Sequence, residues 1–231
     1  MGSATQRAAC LMDYYPVFVD IRNKPVLVIG AGNIAYEKIL NLLKAGPQLT
    51  VIAPEIAPSV ARFSHRIRFV KRMVNLESDI TQDYALVFVA TGDSHLNAQV
   101  SQICLQKRIW CNAVDDPRYC HFIVPSILRR GKVTVAISTA GVSPSLAKAI
   151  KTKLRQCLGI EYTILSRWLA VFRQEVIQRI PTLSGRMLFW KAFYGQDPLW
   201  QIRVGKRSSL TTSTQSLLTQ HEQLYRNQDG V

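Results

Sequence analysis

Acidic residues, histidines and long apolar runs are all scarce in this chain. Its 231 residues include 15 Asp and Glu against 29 Lys and Arg, a formal net charge of +14, and only four His. The apolar runs, such as residues 85–90, fall far short of the roughly 20 residues that a membrane-spanning helix needs. The first ten residues lack the apolar core of a secretory signal. We therefore expect a loosely held leader, no membrane span and a cytoplasmic location.

Cysteine pairs at redox or metal-binding spacing are also absent. The five cysteines are odd in number and form no C-x-x-C pair, which argues against a disulfide framework and against a structural zinc site. Among the histidines, only His121 could join a metal site, and we interpret it as a surface or packing residue. No resident metal is predicted. Buried or unreactive thiols are expected at Cys10, Cys104, Cys111, Cys120 and Cys157.

Positive charge is concentrated in the C-terminal half of the chain. Residues 1–100 carry ten Lys and Arg against eight Asp and Glu, whereas residues 101–231 carry nineteen against seven, a net charge of +12. Such a field attracts polyanions. Nucleic acid, an anionic membrane surface and a small substrate rich in carboxylates are all compatible with it.

Apolar runs alternate with helical patterns over the first half of the chain. Predicted helices cover residues 33–45 and 97–106. This alternation is typical of a parallel, doubly wound sheet. We therefore predict an α/β fold with an N-terminal Rossmann-like parallel sheet, whose strands cover residues 26–29, 49–53, 67–70, 84–90 and 109–114.

The pattern changes after residue 121. Residues 122–128 and 132–138 predict two strands joined by Arg129-Arg130-Gly131, which indicates a hairpin. Ser143 and Pro144 then predict the cap and the first residue of a helix. The apolar face of that helix is expected to consist of Leu146, Ile150, Leu154 and Leu158.

The remaining residues predict a helical C-terminal unit. Residues 161–193 have a helical pattern that we expect to break at Pro181 and Gly185. From Arg207 onward the chain is rich in Ser, Thr and Gln, which favours disorder or a loosely held helix. Core candidates are Trp168, Leu169, Phe172, Phe189 and Trp190.

A glycine turn follows the first predicted strand. Residues 30–35 match G-x-G-x-x-A, in which Gly30 allows the tight turn and Gly32 lets the backbone approach a pyrophosphate. The helix that follows directs its N–H groups and dipole at such a ligand. We predict a dinucleotide site here; the alternative is a tight turn without a ligand.

The ribose end of such a site usually has an acid about 20 residues further on, at the tip of the second strand. This chain has Ala53-Pro54-Glu55 there, so Glu55 is displaced from the strand tip. We expect Glu55 to reach the ribose only indirectly, and NAD is favoured over NADP.

Two further turns are expected to border the dinucleotide site, in the crevice at the carboxyl ends of the strands. Thr91 and Gly92 follow the fourth strand, where they either border the ligand or form an ordinary turn in which Asp93 caps the next helix. Asp115 and Asp116 end the fifth strand, and one of them could act as a general base beside the nicotinamide. The alternative, a turn residue before proline, suits Asp116 better than Asp115.

A second anion-binding geometry is indicated where small residues at positions 139–143 open a helix. Simple helix capping is the alternative.

Together these segments resemble the precorrin-2 dehydrogenase and sirohydrochlorin ferrochelatase modules of siroheme synthesis. The resemblance covers nearly all of residues 14–205. It departs from the usual pattern at Ala140, where many members have glycine. The matching motifs are Y-P-V-F at 15–18, the glycine turn, A-P-E at 53–55, A-T-G-D at 90–93, C-N-A-V-D-D at 111–116, F-I-V-P-S at 122–126 and A-I-S-T-A-G-V-S-P at 136–144.

The resemblance implies a homodimer, each chain of which has three parts. These are a NAD-binding Rossmann domain over residues 12–128, a central dimerisation and substrate segment over 129–157 and a helical C-terminal domain over 158–208. The composition adds a flexible tail over 209–231.

The resemblance also implies the chemistry and its residues. NAD would be held at Asn33, Ile34, Pro54 and Glu55, and Asp115 would be the essential aspartate. The reaction would be oxidation of precorrin-2 to sirohydrochlorin, with ferrous iron inserted afterwards in some members. Since precorrin-2 carries eight carboxylates, the basic half of the chain suits it, and its side chains are expected at Ser138, Thr139, Gly141 and Ser143.

A rival interpretation is a non-enzymatic, NAD-sensing regulator that binds DNA through its basic half. Such a protein would need a recognition helix, and residues 146–193 contain no helix-turn-helix pattern. We therefore expect no nucleic-acid partner. A dehydrogenase for a different acidic metabolite is the second rival.

Overall fold

The computed structural model describes residues 14–113 and 117–228, which form two compact units. The first unit extends to Val124 and the second begins at Pro125, so both strands of the hairpin belong to the second unit. Within the described residues, no helix combines the length and the apolar character needed to cross a membrane.

The first unit is built on a five-stranded parallel sheet in the order β3-β2-β1-β4-β5. This arrangement confirms the predicted α/β fold. Its strands are β1 (Pro25–Ile29), β2 (Gln48–Ile52), β3 (Ile67–Val70), β4 (Leu86–Val89) and β5 (Trp110–Ala113), and its helices are α1 (Asn33–Leu43), α2 (Pro58–Ala61) and α3 (Ser94–Gln106).

Alternate residues of the central strands face opposite sides of the sheet. Val26 and Val28 pack with Ile39 of α1 on one side, whereas Leu27 packs with Val100 of α3 on the other. Because both faces are covered, β1 and β4 contain runs of four buried apolar residues rather than an alternating pattern. The strand order reverses between β1 and β4, and ligands of such sheets bind at that point, beyond the carboxyl ends of the strands.

The second unit begins with the antiparallel hairpin of β6 (Ser126–Arg130) and β7 (Val133–Ile137). The hairpin was expected, although β6 begins four residues later than the apolar run does. The two residues between the strands include Gly131, whose φ of +62° suits the turn. Five helices follow: α4 (Pro144–Cys157), α5 (Ile160–Arg179), α6 (Leu183–Gly195), α7 (Pro198–Arg203) and α8 (Arg207–Gln228).

Helix α4 begins as its sequence predicts but buries less than expected. Ser143 is the cap and its hydroxyl accepts from the N–H of Leu146. Ala147 is buried, whereas the Leu146 side chain is 52% exposed, so the predicted apolar face is not a fully buried one. Periodicity identifies the face that is apolar, but not how much of the chain is available to cover it.

Aromatic rings form much of the core of the helical unit. The ring of Trp168 stacks on that of Phe172 with centroids 4.5 Å apart, and Phe189 and Phe193 are fully buried. The expected break near Pro181 lies between α5 and α6. The expected break at Gly185 is wrong, because that glycine lies inside α6, where its N–H donates to the capping hydroxyl of Thr182.

The last described helix, α8, lies in the stretch for which disorder or a loosely held helix was expected. Leu210, Thr214 and Leu218, spaced four residues apart, are buried. The Thr214 hydroxyl donates to the carbonyl of Leu210 at 2.6 Å, so a polar side chain is accommodated within the helix. The composition is that of a solvated segment, but its apolar residues lie on one face.

Candidate functional site

The glycine turn lies against the end of β4. Gly30 has a φ of +104°, and a Cβ at this position would lie 2.4 Å from the carbonyl oxygen of Ala90. Its N–H donates to the carbonyl of Ile52 on β2. Only glycine fits both the backbone conformation and this close approach, so the chain turns directly at the strand-order reversal.

Gly32 has a different reason to be glycine. Its φ of −84° is accessible to any residue, and beyond its immediate chain neighbours no protein atom lies within 4 Å of a Cβ built there. The space that the missing side chain leaves therefore faces outward. A ligand that approaches the backbone closely would use that space.

The N-terminus of α1 is available to an anion. No side chain caps it, its first turn contains no acidic residue, and its first intrahelical bond runs from the N–H of Tyr36 to the carbonyl of Gly32. The preceding N–H groups, including those of Asn33 and Ile34, have no partner inside the helix. Together with the open space at Gly32, this geometry fits a dinucleotide pyrophosphate.

The residues expected at the ribose end lie on the loop after β2. The N–H of Ala57 donates to the carbonyl of Ala31, which ties this loop to the glycine turn. Pro54 and Glu55 are exposed. They line a groove of about 660 Å³, the other walls of which are Ile56, Ala61, Ser64, Phe69 and Lys71. The groove thus presents both a carboxylate and an ammonium group.

Thr91 and Gly92 form the loop after β4, next to the glycine turn. Asp93 caps α3, since its carboxylate accepts from the N–H groups of His95 and Leu96. For Asp93, the structure thus agrees with the second possibility raised by the sequence, a turn in which this residue caps the next helix. The Thr91 hydroxyl donates to Oδ1 of Asn97 at 2.7 Å. Sequence reasoning missed Asn97, although its helical spacing from Val100 and Cys104 places it on the face that those apolar residues share, which was a usable signal.

Asp115, the predicted catalytic residue, lies outside the described residues together with Asp116. Asn112 on β5 is buried, and its Nδ2 donates to the carbonyl of Phe122 at 2.9 Å. The thiol of Cys120 donates to the carbonyl of Ala113 at 3.0 Å. Residues 120–122 are therefore fastened back onto β5.

His121 participates in this fastening. Its N–H donates to the carbonyl of Cys111, and its Nδ1 accepts from the N–H of Cys111. Cys104 and Cys111 are buried, and the hydrogen bond that the Cys111 thiol donates to Cys104, together with burial, raises the pKa of the Cys111 thiol. Among the described residues, no group of three or more potential ligands could hold a metal ion.

The residues expected to bind the substrate form the loop between β7 and α4. Ser138 accepts from the N–H of Ala140, and the Thr139 hydroxyl both donates to the carbonyl of Ser143 and accepts from its N–H. These hydroxyls stabilise the loop itself. Ala140 has a φ of +50° and Gly141 one of +85°, so the departure at Ala140 places a side chain in the left-handed region.

Comparison with known proteins identifies relatives of both units. The family model NAD_binding_7, described as NAD(P)-binding, matches residues 17–126. The siroheme synthase of Ruthia magnifica subsp. Calyptogena magnifica is 38% identical over 185 residues, which are 80% of this chain and 39% of that protein. The siroheme synthase of Vesicomyosocius okutanii subsp. Calyptogena okutanii is 37% identical over 90% of this chain and 44% of its own length. The chain thus spans about two fifths of these curated relatives.

A solved structure resembles the chain over most of its length. The precorrin-2 dehydrogenase SirC has a TM-score of 0.64 and 25% sequence identity, and the match covers 91% of this chain and all of SirC. The fold similarity therefore extends beyond the NAD(P)-binding region into the helical unit.

Proposed function

We propose that this chain oxidises precorrin-2 to sirohydrochlorin with NAD⁺. The proposal follows from its membership of the family of the siroheme synthase N-terminal module. The observation that carries this proposal is the glycine turn at the strand-order reversal, on a chain that matches a precorrin-2 dehydrogenase over the whole of that protein.

NAD⁺ supplies the hydride acceptor when it is bound. The chain provides the backbone at Gly30 and Gly32 and the N–H groups at Asn33 and Ile34 for its pyrophosphate. Pro54 and Glu55 are assigned to the ribose. Thr91 and Gly92 are assigned to the border of the crevice, next to the glycine turn. Binding and orientation of the reactants are the main contributions of these groups.

The tetrapyrrole is assigned to the basic region of the second unit. Residues 126–174 contain nine Lys and Arg, and the one acid among them, Glu161, is paired with Arg203 at 2.5 Å. This excess of cations suits a substrate with eight carboxylates. The loop that carries Ser138, Thr139, Gly141 and Ser143 is the proposed contact for some of them.

Asp115 is proposed to accept the proton that leaves with the oxidation, or to orient the ring. We expect Asp115→Ala to lower kcat about 100-fold or more, as loss of a general base does, with the affinity for NAD⁺ unchanged. Steady-state kinetics with precorrin-2 and a separate titration with NAD⁺ check both points. Full dehydrogenase activity in this variant would exclude either role.

The decisive experiment is anaerobic incubation of the protein with precorrin-2 and NAD⁺, followed by addition of ferrous iron, with absorbance recorded at each stage. Formation of NADH together with sirohydrochlorin is expected at the first stage. A further spectral change with iron would assign the chelatase step to this chain as well. Absence of turnover, combined with steeply salt-dependent binding to duplex DNA, would favour the regulator instead.

We also propose a cytoplasmic homodimer in which residues 129–157 form the dimerisation segment. The exposed Val142 and Leu146 side chains of this segment support a partner surface. The thiols of Cys104, Cys111 and Cys157, which form no disulfide, suit a reducing compartment. Light scattering coupled to gel filtration tests the oligomeric state, and a monomer at micromolar concentration would contradict it.

A further inference from the structure

Three polar side chains are buried in the described part of the first unit. Asn97, Ser101 and Asn112 are only 6%, 5% and 6% exposed. A buried polar group is costly unless it is hydrogen-bonded, so the partners of these side chains indicate what each of them holds in place.

Asn97 holds the loop after β4. Its Oδ1 accepts from the Thr91 hydroxyl at 2.7 Å, and its Nδ2 makes a longer contact of 3.5 Å with the Thr91 carbonyl. Thr91 also adjoins the glycine turn, because the nitrogen of Thr91 lies 3.4 Å from the position of a Cβ on Gly30. Asn97 therefore fixes a loop that borders the dinucleotide site without itself belonging to the turn.

Ser101 holds a different segment. It lies one helical turn after Asn97 on α3, and its hydroxyl donates to the carbonyl of Tyr119 at 2.9 Å. Tyr119 belongs to the stretch through which the chain returns to β5 after Asp115. Residues four apart lie on the same helix face, so one face of α3 fastens both a cofactor loop and the segment that follows the proposed catalytic aspartate.

We propose that Asn97 is a positioning residue for NAD⁺ binding, because it presets the Thr91–Gly92 loop. Ser101, which is similarly buried on the same helix, holds Tyr119 instead. This inference rests on the proposed function. It predicts that loss of the Asn97 side chain weakens NAD⁺ binding, whereas loss of the Ser101 side chain does not.

The test compares Asn97→Ala, Ser101→Ala and the control Val100→Ala in the full chain. Val100 lies on the same helix and is fully buried, but it has no polar group. The measurements are the Kd for NAD⁺ by calorimetry, the KM for NAD⁺, kcat with precorrin-2, and the Tm. All three variants are expected to lower the Tm, because each removes buried atoms. A change in the Kd for NAD⁺ that Val100→Ala does not show therefore reports loss of positioning and not loss of packing.

We expect Asn97→Ala to raise the Kd and KM for NAD⁺ about 10-fold, the equivalent of one well-made hydrogen bond, while kcat changes less than about twofold. Ser101→Ala should leave the Kd for NAD⁺ unchanged, because its partner Tyr119 lies outside the Thr91–Gly92 loop. Val100→Ala should likewise leave the Kd for NAD⁺ unchanged.

A second pair of variants covers the case in which Asn97→Ala does not fold. Thr91→Val removes the same hydrogen bond from the loop side and should reproduce the rise in Kd, whereas Thr91→Ser keeps the hydroxyl and should restore tight binding. Parallel changes in Kd and kcat across the variants, or a change in Tm alone, would overturn the inference. If the wild-type protein neither binds NAD⁺ nor turns over precorrin-2, the proposed function fails instead.

Discussion

Glycine serves two different purposes at positions 30 and 32. At Gly30 a side chain would collide with the carbonyl of Ala90, and the backbone has a positive φ. At Gly32 neither restriction applies, since φ is ordinary and the space beside Cα is open. The first glycine is required by the protein itself, whereas the second is accounted for by a ligand that approaches the backbone.

This difference makes Gly32→Ala informative. We expect the free energy of unfolding to change by less than about 1 kcal/mol, because only the helix cap is altered. The Kd for NAD⁺ should rise about 10-fold or more, since the new methyl group occupies the space assigned to the pyrophosphate. Chemical denaturation and calorimetric titration check the two values.

Gly46→Ala is the matched control for this prediction. Gly46 has a φ of +76° and open space around it, and it lies between α1 and β2, away from the glycine turn. We expect a loss of about 1–2 kcal/mol from the strained backbone and an unchanged Kd for NAD⁺. A Gly32→Ala variant that binds NAD⁺ normally would show that the turn holds no pyrophosphate.

At the scale of the element, α8 is held by both apolar packing and an ion-pair network. Leu218 is fully buried in the core of the helical unit. Arg179 on α5 donates to Glu222 at 2.8 Å and to Thr219 at 3.0 Å, both on α8. These contacts bind the helix to α5.

We expect Leu218→Ala to lower the free energy of unfolding by about 2–5 kcal/mol, as for other buried leucines. Leu224→Ala on the same helix should change it by less than about 0.5 kcal/mol, because that side chain is 61% exposed. Thermal and denaturant unfolding measure both. Equal and negligible effects would support the flexible tail that the composition favours.

The contact between α5 and α7 should make stability depend on pH. The hydrogen bond from Arg203 holds the pKa of the buried Glu161 carboxyl below its ordinary value of 4.5. A carboxyl with a lowered pKa in the folded state stabilises the fold above its ordinary pKa, and this contribution is lost as the pH falls through the lower, folded-state value.

The comparison of wild type with Glu161→Gln tests this contact. The difference in Tm should be largest at pH 7 and should shrink below pH 4.5, where the Glu161 carboxyl of the unfolded chain is protonated while that of the folded protein still carries its charge. A difference that stays constant between pH 7 and pH 3 would mean that packing, not charge, accounts for the role of Glu161.

At the scale of the whole molecule, the charge is distributed unevenly. The net charge of +12 over residues 101–231 contrasts with +2 over residues 1–100, which contain the glycine turn. The two reactants are therefore expected to respond differently to ionic strength.

We expect kcat/KM for precorrin-2 to fall about 10-fold between 50 and 300 mM salt, because screening weakens attraction of a polyanion to exposed cations. The Kd for NAD⁺ should change much less, since its contacts are mainly backbone N–H groups. Initial rates and titrations at several salt concentrations measure the two responses. A salt-independent kcat/KM would argue against the basic region as the substrate surface.

Sequence alone determined the features that depend on local chemistry. The run of apolar residues before Gly30, the glycine turn and α1 follow one another as predicted, because a buried parallel strand and a helix start have local signatures. The cap at Ser143 and the hairpin are of the same kind. The resemblance to the siroheme family also rests on such short motifs.

Only the tertiary structure decided features that depend on residues far apart in the chain. The open space at Gly32, the exposure of Leu146, the packing of α8 against α5 and the partners of Asn97 and Ser101 all belong to this group. Burial and hydrogen-bond partners are set by which elements meet, and periodicity in one segment carries no information about its neighbours. The strand and turn were therefore determined locally, whereas the roles of the two buried side chains on α3 were not.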